Sequence, residues 1–187
     1  MRVAETQRLV LRNWEDRDRD LFHEINSDPE VMEFFPFRRT REQSDALLGR
    51  LSAVIAGTGL GFFALADRAT DEVFGFCGLS RTDLEPHLPK GTVEIGWRLA
   101  RRHWGRGYVT EAARELLRLG FEDNGLDEIV SFAVASNARS IAVMQRIGMR
   151  ADPSRDFPMP DIDEAHAHLR PHVFYAISKA DWQRKGR

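Results

Sequence analysis

Hydrophobic and polar positions change period sharply along residues 92–122, TVEIGWRLARRHWGRGYVTEAARELLRLGFE. Up to Leu99 they alternate by twos. Val93, Ile95, Trp97 and Leu99 fall on one side and Thr92, Glu94, Gly96 and Arg98 on the other, the pattern of a half-buried strand. From Thr110 the apolar positions Ala113, Leu116, Leu117 and Phe121 recur at three- and four-residue steps, which predicts an amphipathic helix. Between them, Arg101 to Tyr108 form a short basic loop with glycines at 105 and 107 that feeds directly into the helix N-terminus.

The same reading places elements on either side. Residues 8–12 (RLVLR) read as a short strand, residues 15–26 as a helix with Leu21, Phe22 and Ile25 inward, and Asp28-Pro29 as the start of one further helical turn. Phe34 to Phe37 (FFPF) form an aromatic cluster, either a core staple or the wall of a pocket. A helix over 41–56 follows, and Gly57, Gly59 and Gly61 read as its C-cap and a turn rather than as a phosphate loop, because they follow a helix and precede a strand. Residues 62–66 and 73–80 predict an antiparallel hairpin. Residues 128–135 are nearly all apolar, as in a central strand covered on both faces, so strand, helix and strand here imply a parallel crossover. Asn137 caps a helix ending at Gly148, and residues 150–157 and 172–178 predict a long-looped final hairpin. The expected class is α/β with a mixed, mostly antiparallel sheet.

Composition narrows the function. A chain of 187 residues that is 42% hydrophobic is expected to form one domain over 1–187. With 27 basic and 29 acidic residues, no global charge favours nucleic acid or an acidic membrane as partner. The single cysteine, Cys77, excludes a disulfide framework and a multi-cysteine zinc site, and reads as core. The first residues carry no apolar run of a secretory kind, and no stretch is long enough for a membrane helix, so a cytoplasmic location is expected.

The loop is where chemistry enters. The first amides of a helix lack intrahelical partners and its dipole is positive at that end, so the amides of Tyr108, Val109 and Thr110 form an anion site. Gly105 and Gly107 keep side chains out of the way, and Arg101, Arg102 and Arg106 add charge. No Lys-Ser/Thr follows the glycines and the third glycine of a dinucleotide fingerprint is missing. The spacing Arg102-x-x-Gly105-x-Gly107, and the longer string Trp104 to Ala112, resemble the acyl-CoA loop of the GCN5-related N-acetyltransferases (GNAT), in particular the branch of ribosomal-protein N-terminal acetylases. Asn137-x-x-Ser140, Ile147-Gly148-Met149, Arg12 with Asp16, and residues 170–182 extend the likeness over essentially the whole chain.

The resemblance implies a twisted sheet of about seven strands with about four helices, opened between its fourth and fifth strands. It implies acetyl-CoA as co-substrate, with pantetheine along Trp97, Arg98 and Leu99, the diphosphate on residues 102–110, and Asn137 and Ser140 against the pantetheine arm. The implied reaction is direct attack of an amine on the thioester. A lysine amine is only about one part in a thousand neutral near pH 7.5, against roughly one third for an α-amine, so a base matters most for the former. Glu94 is the candidate base, directly or through a water; its plain alternative is an exposed glutamate paired with Arg98. A backbone N–H near Leu99 or Ala100 would face the oxyanion. Ser140 is the candidate thiol proton donor, with Tyr175 and Tyr108 behind it. His166, His168 and His172 lack companions for a metal, and none is expected. The acidic loop 152–172 reads either as solvated or as a surface for a cationic acceptor. A catalytically silent CoA- or partner-binding module and a nucleotide-binding protein are the competing classes. The acceptor (protein N-terminus or small-molecule amine), the acyl chain and the choice between monomer and homodimer stay open.

Overall fold

The computed structural model describes residues 1–185. One sheet runs through them in the order β1 (Arg2–Glu5), β2 (Leu9–Arg12), β3 (Gly61–Asp67), β4 (Val73–Arg81), β5 (Val93–Leu99), β6 (Glu128–Val134), β9 (Pro171–Ser178) and β7 (Arg150–Ala151), with β8 (Phe157–Pro158) also on β9. Every pairing is antiparallel except β5 with β6.

β1 (Arg2–Glu5) is an edge strand too short, with only Val3 and Ala4 apolar, to show a period. β2 (Leu9–Arg12) is wholly buried. Its Arg12 reaches inward to Asp18, with N–O distances of 2.7 and 3.0 Å, and Asp18 also accepts from the Glu15 N–H at 2.8 Å. That carboxylate tightens the start of the predicted helix into a 3-10 turn, so α1 covers only Arg19–Ser27. α2 (Arg41–Thr58) opens on a reciprocal Thr40–Gln43 cap and ends where Gly59 adopts φ 72°, as its glycine predicts.

β3 (Gly61–Asp67) and β4 (Val73–Arg81) form the expected hairpin, followed by β5 (Val93–Leu99). α3 (Tyr108–Arg118) buries Ala112, Ala113, Leu116 and Leu117. It begins earlier than its apolar stripe, because Gly107 at φ 77° serves as its N-cap. β6 (Glu128–Val134) is central, and α4 (Ala138–Arg146) follows behind the Asn137 cap. The final hairpin differs from expectation. Between Ala151 and Phe157 lie five residues, but between their partners Tyr175 and His172 only two, so three residues loop out as a 3-10 turn. The predicted strand 150–157 is thereby divided into β7 (Arg150–Ala151) and β8 (Phe157–Pro158), both on β9 (Pro171–Ser178), before α5 (Lys179–Lys185). This and β1 make nine strands instead of about seven.

Leu9, Leu11, Phe22, Phe63, Leu65, Leu116, Phe121 and Ile129 fill the main core, where Cys77 is fully buried. Leu88, Val130, Phe157 and Phe174 form a second, smaller cluster. One feature positions the site: β5 and β6 share a single register pair, Glu94 with Val130. The Ser131 hydroxyl donates to the Ile95 carbonyl at 2.9 Å at this junction, and past it the two strands part. Among the described residues, no helix is long and apolar enough to cross a membrane.

Candidate active site

The parting of β5 and β6 opens a cleft of about 1760 Å³ that runs from the start of α3 through the splay to the segment after α1. Gly105, Gly107, Tyr108, Val109 and Thr110 line one end, Trp97, Leu99, Ala133, Asn137 and Ser140 the middle, and Phe34, Phe35, Phe37, Arg39, Asp83 and His172 the other end.

At the α3 end the geometry suits an anion. No side chain caps α3, so its first amides keep their donors for a ligand. Gly105 has φ 72° with nothing within 4 Å of where a Cβ would sit, and Gly107 has φ 77° with only Arg8 nearby, 3.7 Å away. The arginines are arranged differently from expectation. Arg101, Arg102 and Arg106 do not line the cleft; Arg101 pairs with Glu30 and Arg102 with Glu24, both outward. Their place is taken by Arg8, whose sequence context shows only a strand start. It pairs with Glu111 at 2.7 Å, donates to the Arg106 carbonyl at 3.1 Å and stacks 4.8 Å over Tyr108.

In the middle, the Ala100 N–H donates to the Phe74 carbonyl at 2.9 Å, which removes Ala100 as an oxyanion donor. Alternation in the antiparallel ladder then turns the amides of Trp97 and Leu99 toward the splay and that of Arg98 toward β4. Arg98 therefore departs from the pantetheine path expected for it: its backbone faces β4 and its side chain the α1 face. The Asn137 side chain accepts from the Ser140 N–H at 3.1 Å, and both residues line the cleft. Tyr175 is buried away from the cleft with its hydroxyl 3.5 Å from Gln145, and Tyr108, though in the wall, is stacked on Phe74 at 4.6 Å.

Glu94 lies where the strands part, on the same face as Arg98. The two do not pair: Arg98 instead donates to the Asn26 side-chain oxygen at 2.6 Å. The Glu94 carboxyl makes no hydrogen bond or ion pair among the described residues, and burial alone pushes its pKa up to about 7. Burial pulls the Arg98 pKa down to about 10, with the nearby Arg39 adding to the effect.

At the far end, the FFPF cluster is wall rather than core, with Phe35 39% and Phe37 44% exposed. His172 has one ring nitrogen 3.0 Å from the Arg170 carbonyl, and burial lowers its pKa. In the acidic loop Asp152 caps Ser154 and Asp163 caps His166, Asp156 accepts from the Phe174 N–H of β9, and Glu164 pairs with Arg170. Of that region only Met159 and His172 reach the cleft. No set of three His, Cys, Asp or Glu side chains among the described residues converges as a metal site.

Residues 8–150 match the family described as an acetyltransferase (GNAT) domain. The chain is a GNAT acetyltransferase. Its GNAT fold is shared with an acetyltransferase of that family from Bacillus anthracis, at TM-score 0.77 and 25% identity over 96% of this chain and 99% of the other. It is 34% identical to the uncharacterized protein YkkB of Bacillus subtilis over 77% of this chain and 83% of that one. It is also 29% identical to the FsC-acetyl coenzyme A-N(2)-transacetylase of Aspergillus fumigatus, over 96% of this GNAT chain and 77% of that protein.

Proposed function

We propose that this chain acts as one domain that transfers an acetyl group from acetyl-CoA to a primary amine by direct attack in a ternary complex. The observation that carries the proposal is the unpartnered Glu94 carboxyl at the opening of the splay, with a pKa near 7. A buried carboxyl without partners is costly to a fold, and a site that only bound CoA would gain nothing by keeping it.

Acetyl-CoA supplies the activated acyl carbon and a thiolate leaving group. The residues suit it: the uncapped amides of Tyr108, Val109 and Thr110 with Arg8 for the diphosphate, and the Trp97 and Leu99 amides along the splay for the pantetheine and the developing oxyanion. Glu94, directly or through a water, takes the proton that the amine nitrogen sheds as its bond to the acyl carbon forms. The carbon–sulfur bond then breaks, and Ser140, which lines the cleft, relays a proton to sulfur, taking one from solvent as it gives its own. A thiol pKa near 8.5 makes this last step the least demanding.

Two acceptor classes fit. The ribosomal-acetylase resemblance points to a protein N-terminus, and the second class is a small-molecule amine. Calorimetric titration with acetyl-CoA, together with CoA release in the presence of an amine panel, tests the reading. Binding with turnover that Glu94→Gln removes supports it. Absence of binding by folded wild type overturns it, and binding without turnover on any amine would leave a CoA-binding module.

A further inference from the structure

Two arginines at the acceptor end of the cleft have no carboxylate partner. Arg98, on β5, lies 4.3 Å over the Phe35 ring and 5.4 Å over Phe76, and its guanidinium donates to the side-chain oxygen of Asn26. Arg39, on the loop before α2, lies 4.7 Å over Phe37, and its Nε is inaccessible and without a hydrogen-bond partner. Fully buried Asn26 holds both: its side chain receives Arg98 and its carbonyl accepts the Arg39 N–H at 2.9 Å. Neither arginine forms an ion pair among the described residues, and each lies near enough to another arginine to feel its charge, Arg98 to Arg39 and Arg39 to Arg50.

Packing alone does not account for this. Arg12, which is buried, is by contrast satisfied by two carboxylates, Asp18 at 2.7 Å and Asp71 at 3.0 Å. The Arg98 guanidinium, held over aromatic rings without an anion and near enough to Arg39 to feel its charge, is left uncompensated where water is scarce. A carboxylate or phosphate-like group would relieve that, and guanidinium forks match its planar oxygens in two-bond geometry.

We propose that Arg98 and Arg39 form a subsite for an oxyanion carried by the acceptor, so that the acceptor is a small zwitterion with an amine and a carboxylate or phosphate-like group in one molecule. The proposal rests on the acetyltransferase reading and deepens it. Glu94 and Arg98 share a face of β5 four residues apart, about 13 Å along the strand at 3.3 Å per residue. The reach of the two side chains shortens that span. An acceptor lying between them turns its amine to Glu94 and Asp83 and its anion to the arginines, with its apolar body against Phe34, Phe35 and Phe37.

The test uses the standard amino acids, each as free acid and as α-carboxamide, with acetyl-CoA on wild type, Arg98→Gln, Arg98→Lys and Arg39→Gln, and CoA release as readout. Amidation lowers the amine pKa and leaves more neutral amine, so preference for the acid runs against intrinsic reactivity. The expected result is a higher kcat/KM for at least one free acid than for its amide. Arg98→Gln and Arg39→Gln then lose roughly tenfold to a hundredfold on the acid, as for a charged hydrogen bond, and little on the amide. Acetyl-CoA affinity stays unchanged in a folded variant, and Arg98→Lys recovers part of the loss. Calorimetric titration of the same acids and amides in the presence of CoA reads the subsite without turnover. Equal use or equal binding of acid and amide, or binding of neither, overturns the subsite while acetyl-CoA binding leaves the functional reading standing. Arginine variants that lose only the use of succinyl-CoA with neutral amines would assign the anion to the acyl group, which overturns the proposal as well. Loss of acetyl-CoA binding by folded wild type would overturn the functional reading itself.

Discussion

Glu94→Gln should raise stability and abolish catalysis, and both effects should follow pH in a way fixed by one carboxyl. In the fold the Glu94 pKa stands near 7 against a reference of 4.5, and burial is the cause. Because the folded value is the higher one, the native state binds the extra proton between these limits. Stability attached to Glu94 is therefore whole below pH 4.5 and is lost as pH rises through 7. At about 1.36 kcal/mol per unit the full loss is about 3 kcal/mol, an upper figure because one side of the carboxyl meets the cleft. The neutral, isosteric glutamine escapes it. Urea or thermal unfolding should show Glu94→Gln more stable than wild type by about 1–3 kcal/mol at roughly pH 8, some 2–10 °C for a chain of this size, with the gap closing toward pH 5. Wild-type kcat/KM, corrected for the neutral fraction of the amine, should rise about tenfold from roughly pH 6 to pH 8 and level off as the carboxylate forms. Variant and wild type equally stable at both ends, with a flat wild-type profile, would refute the reasoning.

Other perturbations test other parts of the structure. Gly105→Ala should cost about 1–2 kcal/mol of stability through its φ of 72° but leave much of the acetyl-CoA affinity, because the space around it is open; Gly105→Glu should lose the affinity as well, and calorimetry separates the two. Arg12→Met should cost about 3–5 kcal/mol in urea unfolding by stranding the Asp18 carboxylate, whose side chain is 3% exposed. Cys77, fully buried with burial raising its thiol pKa, should not react with a disulfide reagent until denaturant is added; CoA release can then be followed by thiol reagent without protein background.

Local pattern revealed what is local. The alternation around Glu94 and the stripe of α3 each follow from a strand or helix buried on one side, and the residues that form them are neighbours in sequence. β1 escaped because four residues show no period, and the last hairpin was misdrawn because three looped-out residues leave its apolar count intact. The acceptor end was out of reach for a different reason. Arg39, Asp83 and His172 come from three separate segments that only the tertiary fold gathers, and the partner that turns the Arg102 side chain outward, Glu24, lies 78 residues away. For Arg98 the strand alternation gave the correct face but could not show that the face looks onto Phe35 and Asn26 rather than water.

The single Glu94–Val130 register pair has a mechanical meaning for the whole molecule. The sheet is two half-sheets, β1–β5 and β6–β9, meeting at a seam one pair wide, and around Val130 and Phe174 the second half packs a small apolar cluster apart from the main core, closed by Leu88 from the loop before β5. Such a seam is where cooperative unfolding breaks into units. Hydrogen exchange should find β6 and β9 opening separately from β3 and β4 in the unliganded protein. A ligand whose amides bridge the gap acts as a missing strand and zips the halves into one unfolding unit, so occupancy of the cleft is readable far from it, in the synchrony with which the two halves come apart.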